Sequence, residues 1–139
     1  MERKQKMTNI EKMYNFLEDA RDFFLSTVDG DTPRCRPIGF KSLYEGQFYT
    51  GIGDFKEVYR QLQANPKVEI VALKGMSWIR INGKAVFDDD DSPVHAHMME
   101  IFQLRSLYEK NGWKMKVFHI EDAEVQFIDI MTVKESFHI

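Results

Sequence analysis

A chain of 139 residues that is 43% hydrophobic and 29% charged has the length and composition of one domain with a real core, spanning 1–139. Its net charge of −3 gives no bulk attraction for nucleic acid, and no apolar run approaches the ~18 residues of a membrane span. A single cysteine, Cys35, excludes an intrachain disulfide and a multi-thiolate zinc site, which leaves a reducing, cytoplasmic home as the expectation. The N-terminal "MERKQKM" lacks the apolar stretch of a secretory leader.

Thr8-Asn9-Ile10-Glu11 has the form of a capping box, and Ile10, Met13, Tyr14 and Leu17 follow at helical spacing, so the pattern predicts a helix over 8–20. "DFFLSTV" (22–28) reads as a strand, Asp29-Gly30-Asp31 as a hairpin turn, and 34–44 as the return strand. Glu45-Gly46 turns into a third strand, 47–51, and the three make a meander. Phe55, Val58, Tyr59 and Leu62 then mark one face of a helix that places Lys56 in its first turn and stops at Asn65-Pro66. "KVEIVALK" (67–74) and "SWIRINGKAVF" (77–87) alternate as strands. The acidic break at 88–93 leads through Ser92, an N-cap, and Pro93, a first-turn proline, into a helix over 93–109. Two more strands, "MKVFHIED" and "EVQFIDIMTV", complete the chain. Six or seven mostly antiparallel strands with few helices suggest a mainly β fold, a small barrel with peripheral helices.

Three constellations could carry chemistry. Arg34 and Arg36 fall on one side of a strand, where guanidinium groups can pair with phosphate; an exposed face whose arginines meet solvent or carboxylates is the equal alternative. Pro37 removes a ladder donor, which marks an edge or bulge and leaves backbone groups unpaired. Cys35, between the arginines, is expected to face the barrel interior. The turn Gly51-Ile52-Gly53-Asp54-Phe55-Lys56 joins a strand to a helix start, a geometry that suits phosphate. It is neither a dinucleotide fingerprint nor a P-loop, and a plain turn with a solvated lysine explains it as well. His95 and His97 follow four aspartates, but residues two apart do not share a helix face, and an acidic helix cap accounts for the stretch without a metal. Trp113, beside Gly112, is a packing lid or a ligand platform.

In their order and spacing, "FFLSTVDGDTPRCRPIGF", "FYTGIGDFKEVYRQLQANPKVEIVAL" and "WIRINGKAVF" resemble the pyridoxamine 5′-phosphate oxidase-like FMN-binding split-barrel superfamily, nearest its short nitroimidazole-resistance-like members. The resemblance runs over about residues 14–130. It implies a six-stranded antiparallel split β-barrel that forms a homodimer with two FMN molecules at the subunit interface. It assigns Arg36, with Arg34 beside it, to the flavin, and sets Pro37, Ile38 and Gly39 along the ring edge. Tyr49, Thr50 and Gly51 correspond to the strand end near the phosphate, and Lys56 to the phosphate-binding lysine. Trp78 and Arg80 lie on a strand that contributes from beside the flavin or from the other subunit. No catalytic acid or base is implied. The activity so implied is that of an FMN-dependent oxidoreductase acting on a small molecule, with a non-catalytic flavin- or haem-binding carrier or sensor as the alternative. Asp54 and Phe55 depart from the serine-arginine pair of the B6 oxidase, the loop-helix segment is two residues longer before Asn65-Pro66, and the oxidase's C-terminal tryptophan and arginine-rich segment has no counterpart. Pyridoxamine phosphate is therefore not the expected substrate.

Overall fold

The computed structural model describes residues 6–139; most of the N-terminal stretch on which the expectation about a leader rests lies outside them. Among the described residues no helix is long and apolar enough to cross a membrane. The elements are α1 (Asn9–Ala20), β1 (Phe23–Asp29), β2 (Thr32–Ile38), β3 (Lys41–Tyr44), β4 (Gln47–Gly53), α2 (Glu57–Ala64), β5 (Lys67–Lys74) and β6 (Ser77–Phe87). They continue with α3 (Pro93–Ile101), α4 (Arg105–Asn111), β7 (Met115–Asp129) and β8 (Thr132–His138).

All eight strands belong to one antiparallel sheet. Seven run in the order β2-β1-β5-β6-β7-β4-β3, and β8 adds to β7. The count of six is therefore too low, and the expected meander does not form. Residues 34–44 are two strands, and these lie at opposite ends of the sheet: β2 pairs with β1, whereas β3 pairs with β4. Only Gly39 and Phe40 separate them. From Ile38 to Lys41 an extended chain reaches at most about 11 Å. The sheet must curl until its two outermost strands nearly meet at this crossing. The result is a barrel closed by covalent chain and left unpaired between β2 and β3, which is the split.

Inside the curl, β6 shows the pattern that fills it: Ile79, Ile81, Gly83 and Ala85 point inward, and Trp78, Arg80 and Asn82 point out. Phe23, Leu25, Phe48, Ile70 and Phe118 complete a fully buried interior, each side chain contributing about 1.5–3 kcal/mol. A Cβ on Gly83 would lie 2.6 Å from the Ala123 Cβ, so glycine is what permits the close approach of β6 and β7. The register shifts there, between Asn82 and Lys84, opposite Asp122 at φ 50°. This bend lets β7 pair with β4 through its first part and with β8 through its last. The two strands read from 115–122 and 124–133 are in fact one long bent strand followed by a hairpin.

The helices close what the sheet leaves open. Thr8 caps α1 with the expected reciprocal bonds to Glu11. α1 packs on β3, β4 and β5, α2 on β1 and β4, and α3 on β3 and β7. The helix expected over 93–109 is broken at Phe102–Leu104, giving α3 and α4. With β4 and β7 they form a second apolar cluster outside the barrel, built on Val94, Met98, Tyr108, Met115 and Val117.

Tyr14 on α1 donates to Glu18 at 3.0 Å, and its hydroxyl pKa is pushed up to about 12, by burial first and then by Glu18. Burial raises Tyr49 and Tyr108 as well. Each favours the neutral phenol in the folded state, so their contribution is complete below about pH 10, where the unfolded phenol begins to ionise. It is lost as pH rises toward 12. Denaturant titrations between pH 9 and about 12 should show stability falling with pH, and Tyr14→Phe should flatten that slope without abolishing it; an unchanged slope would contradict the assignment.

Candidate functional site at the barrel split

At the split the chain surrounds a cavity of about 210 Å³. One wall is the crossing itself, Arg36, Pro37, Ile38, Gly39 and Phe40. The facing wall is Gly51 and Ile52 of β4 with Lys56 and Val58 at the start of α2. Phe102, Leu104 and Tyr108, from the break between α3 and α4 and from α4 itself, close it with Met115. Of the residues singled out in the sequence, Arg36, Pro37, Ile38, Gly39, Gly51 and Lys56 are thus brought together by elements distant in the chain.

Arg36 faces the interior, opposite to the side expected. Its register partner is Leu25, a core residue, and Cys35 is exposed on the outer face. The alternation is sound; the assignment of its two sides is reversed, so Cys35 is not a core residue. The Arg36 guanidinium donates to the Leu25 carbonyl at 3.1 Å, to Thr27 Oγ1 at 2.7 Å and to Gln61 Oε1 at 2.9 Å. Thr27 donates in turn to Gln61 at 2.6 Å. This buried set ties β2, β1 and α2 into one wall, and burial lowers the Arg36 pKa from its ordinary value. Thr27 and Gln61 escaped the sequence reading. Helical spacing from Val58 puts Gln61 beside Leu62 on the buried stripe, and that was the available signal.

Lys56 is the N-cap of α2 and not a residue of its first turn; its backbone is extended, with φ −87° and ψ 148°. It makes no side-chain cap bond, whereas Thr8 and Ser92 cap α1 and α3. The first amides of α2 therefore lack the side-chain acceptor that those two helices have. The Lys56 ammonium lies 5.9 Å from the Phe55 ring centroid and makes no ion pair among the described residues. Asp54 turns away: its carboxylate accepts from the Lys114 amide at 3.0 Å, and its own amide donates to the Lys114 carbonyl at 2.8 Å. Phe55 stacks on Trp113 with ring centroids 4.0 Å apart, so Trp113 packs against the α2 approach.

The other candidates lie elsewhere. Thr50 is fully buried and donates to the Phe40 carbonyl at 2.7 Å, clamping the crossing to β4. Tyr49 points to the opposite face, edge-on to Tyr44 and His119. Arg34 is exposed, 3.5 Å from Asp29. Trp78 and Arg80 stack on the outer face of β6, with the guanidinium carbon 4.8 Å from the indole centroid and Glu69 3.7 Å from Arg80 Nε. His95 and His97 diverge, toward the Met115 carbonyl and Ser42 Oγ. Among the described residues no group of three or more histidine, cysteine or acidic side chains is placed to hold a metal. A larger hollow of about 480 Å³, beside Lys67 and Lys84, is lined by none of the predicted site residues.

A second cavity, about 480 Å³, lies beyond Phe40, Phe102 and Leu104. Lys41 lines it, its side chain only 5% exposed; the ammonium donates to the carbonyls of Arg21 and Gly39 and lies 3.9 Å from Glu18. Reading 34–44 as one continuous strand concealed it.

Because Gln61 Oε1 accepts from both Thr27 and Arg36, Gln61→Leu leaves a buried hydroxyl and a half-buried cation short of an acceptor. The substitution should destabilise the protein by about 1–3 kcal/mol in chemical denaturation, and Gln61→Glu should recover part of the loss. No loss in Gln61→Leu would show that the network does not brace the split.

The family model for pyridoxamine 5′-phosphate oxidase matches residues 10–129. Among solved structures, a NimC/NimA family protein from Clostridium acetobutylicum superposes with a TM-score of 0.82 at 29% identity, covering 96% of this chain and 95% of that one. A pyridoxamine 5′-phosphate oxidase-related, FMN-binding protein from Nostoc punctiforme gives 0.70 at 13% identity, covering 97% and 99%. The haem storage protein HutZ from Vibrio cholerae gives 0.59 at 16% identity, covering 81% and 89%. No curated protein matches the sequence. With the split barrel, the arginine strand and the lysine at the helix start in place, the family match over most of its length shows that this chain belongs to the pyridoxamine 5′-phosphate oxidase family.

Proposed function

We propose that the protein binds FMN at the barrel split and works as a dimeric flavin-dependent oxidoreductase on a small molecule. The observation that carries this reading is the start of α2, which meets the split with amides that no side chain caps and an ammonium that, among the described residues, makes no ion pair. Both suit a phosphate. Two carboxylates near the helix start would repel one: Asp54 is held by the Lys114 amide, and Glu57, in the first turn, is paired with Arg60 at 2.6 Å. The donor set fits the phosphate end of FMN.

The ring end needs more than one protomer. A cavity of about 210 Å³ is smaller than the ~300–1,000 Å³ of typical ligand sites, so a flavin would lie across its mouth. Among the described residues no helix covers the outer face of β1, β5 and β6, which exposes Phe24 and Leu73 beside Trp78. A second copy laid on that face would cover it and close the site, which gives Trp78 and Arg80 a role from the partner side.

The flavin, when bound, supplies the electron transfer. The chain's own residues bind and orient. Lys56 and the α2 amides hold the phosphate; Pro37 to Gly39 present backbone without bulky polar side chains; Arg36, braced by Thr27 and Gln61, keeps positive charge in the wall. Among the described residues no carboxylate or histidine lines the cavity, and Tyr108 supplies a neutral hydroxyl there. A site without such groups fits the second reading, a non-catalytic flavin carrier or sensor; a haem carrier would need an axial ligand from elsewhere. Steady oxidation of a nicotinamide with a quinone or nitro-compound acceptor would exclude it. The exposed thiol of Cys35 suits a reducing, cytoplasmic setting.

Lys56→Ala should weaken FMN about 10- to 100-fold and leave riboflavin nearly unchanged, since a charge-assisted phosphate contact contributes about 1.5–3 kcal/mol. Fluorescence titration with both ligands reads this directly. Equal losses for the two, or none, would remove Lys56 from the phosphate site.

A further inference from the structure

The hairpin between β7 and β8 turns through two residues, Ile130 and Met131, between the paired Asp129 and Thr132. Two-residue hairpin turns favour asparagine and glycine because the backbone enters the left-handed region. Here Ile130, a β-branched residue, takes φ 59°. Its side chain and that of Met131 are 57% and 90% exposed. The tip is not loose. The Ile130 amide donates to the Met76 carbonyl at 3.0 Å, and Trp78 Nε1 donates to the Ile130 carbonyl at 3.4 Å. Met76 and Leu73, from the neighbouring hairpin, are also exposed. Two hairpin tips thus make one pinned apolar knob, continuous through Trp78 with the uncovered sheet face. Turn chemistry is set aside there in favour of large apolar side chains, which points to a contact.

The same chain carries a hollow with one apolar side, its other side being Glu18, Lys41 and Gln103. The cavity of about 480 Å³ beside the split has Phe40 and Phe102 in its walls and the exposed Ile101 and Leu104 at its rim. We infer that the Ile130–Met131 tip of one protomer seats in this cavity of a second copy, so that each protomer completes the wall of the other's site. Two-fold symmetry makes the contact twice. This rests on the dimeric flavin-site reading and adds the residues that the partner supplies. A lipid surface is the weaker occupant. The charges next to the tip are Asp129, Lys134 and Glu135, and Lys74 is already paired with Asp19, so no cluster of cations flanks it.

The test is the double substitution Ile130→Gly, Met131→Ser, which suits the turn and removes the knob. Sedimentation without added flavin should show the dimer dissociation constant rising tenfold or more. The unfolding midpoint of the dissociated protomer should be no lower than in the parent. An unchanged dissociation constant would overturn the inference, as would a knob-dependent binding of phosphatidylcholine–phosphatidylserine vesicles by a parent chain that stays monomeric. In a Cys35→Ser background, Met131→Cys with Leu104→Cys should form an interprotomer disulfide on oxidation, and its failure to form in a dimeric sample counts against the seat. FMN titration of the parent chain separates the two failures: a flavin-binding dimer indifferent to the knob sinks this inference alone, and a parent chain that binds no flavin sinks the flavin reading.

Discussion

Gly39 and Phe40 tether the two outermost strands of an eight-stranded sheet, and that short tether makes the rest of the structure possible. It fixes how far the sheet curls, and the strands on its two sides pair elsewhere, β2 with β1 and β3 with β4. A Cβ on Gly39 would come within 2.8 Å of the Asp22 carboxylate, so the crossing runs close against the start of β1. Thr50 clamps Phe40 from one side, and Lys41, with its ammonium on the Gly39 carbonyl, holds it from the other. The wall of the split is thus over-determined by buried polar contacts in a barrel whose interior is otherwise apolar.

Arg36 belongs to the same logic. A cation turned toward the inside of a barrel is tolerated only with its donors met, and Leu25, Thr27 and Gln61 meet them. The arrangement offers positive charge at a fixed place with little freedom to collapse. Lys56 is the complement: exposed, at an uncapped helix start, and in no ion pair among the described residues, since the neighbouring Glu57 is taken by Arg60. One cation is structural and prepositioned and the other is available, which is the division expected of a site that orients one end of a ligand and neutralises the other.

Local chemistry was legible in the sequence wherever it determined the outcome. The capping box of α1, the Ser92-Pro93 start of α3 and the bounds of β5 and β6 follow from side-chain periodicity and end signals, and the structure has them. Sheet order was not legible, because nothing in "RCRPIGFKSLY" says that its two halves pair with different neighbours. Alternation separated Cys35 from the arginines correctly, but on an edge strand charge is a poor guide to which face is inside; the deciding partners, Thr27 and Gln61, sit on other elements. The break at Phe102–Leu104 has no glycine or proline to announce it. Phe102, Leu104 and Tyr108 reach the split only because α3 and α4 fold back over β4 and β7.

The split is the place where family resemblance, donor chemistry and backbone exposure converge. The visible absorption spectrum of the native protein, followed by titration with FMN, tests that convergence most directly. The account predicts flavin bands that are retained or restored, saturating at about one FMN per chain, with release of FMN on denaturation. A colourless protein that shows no saturable FMN binding would contradict it.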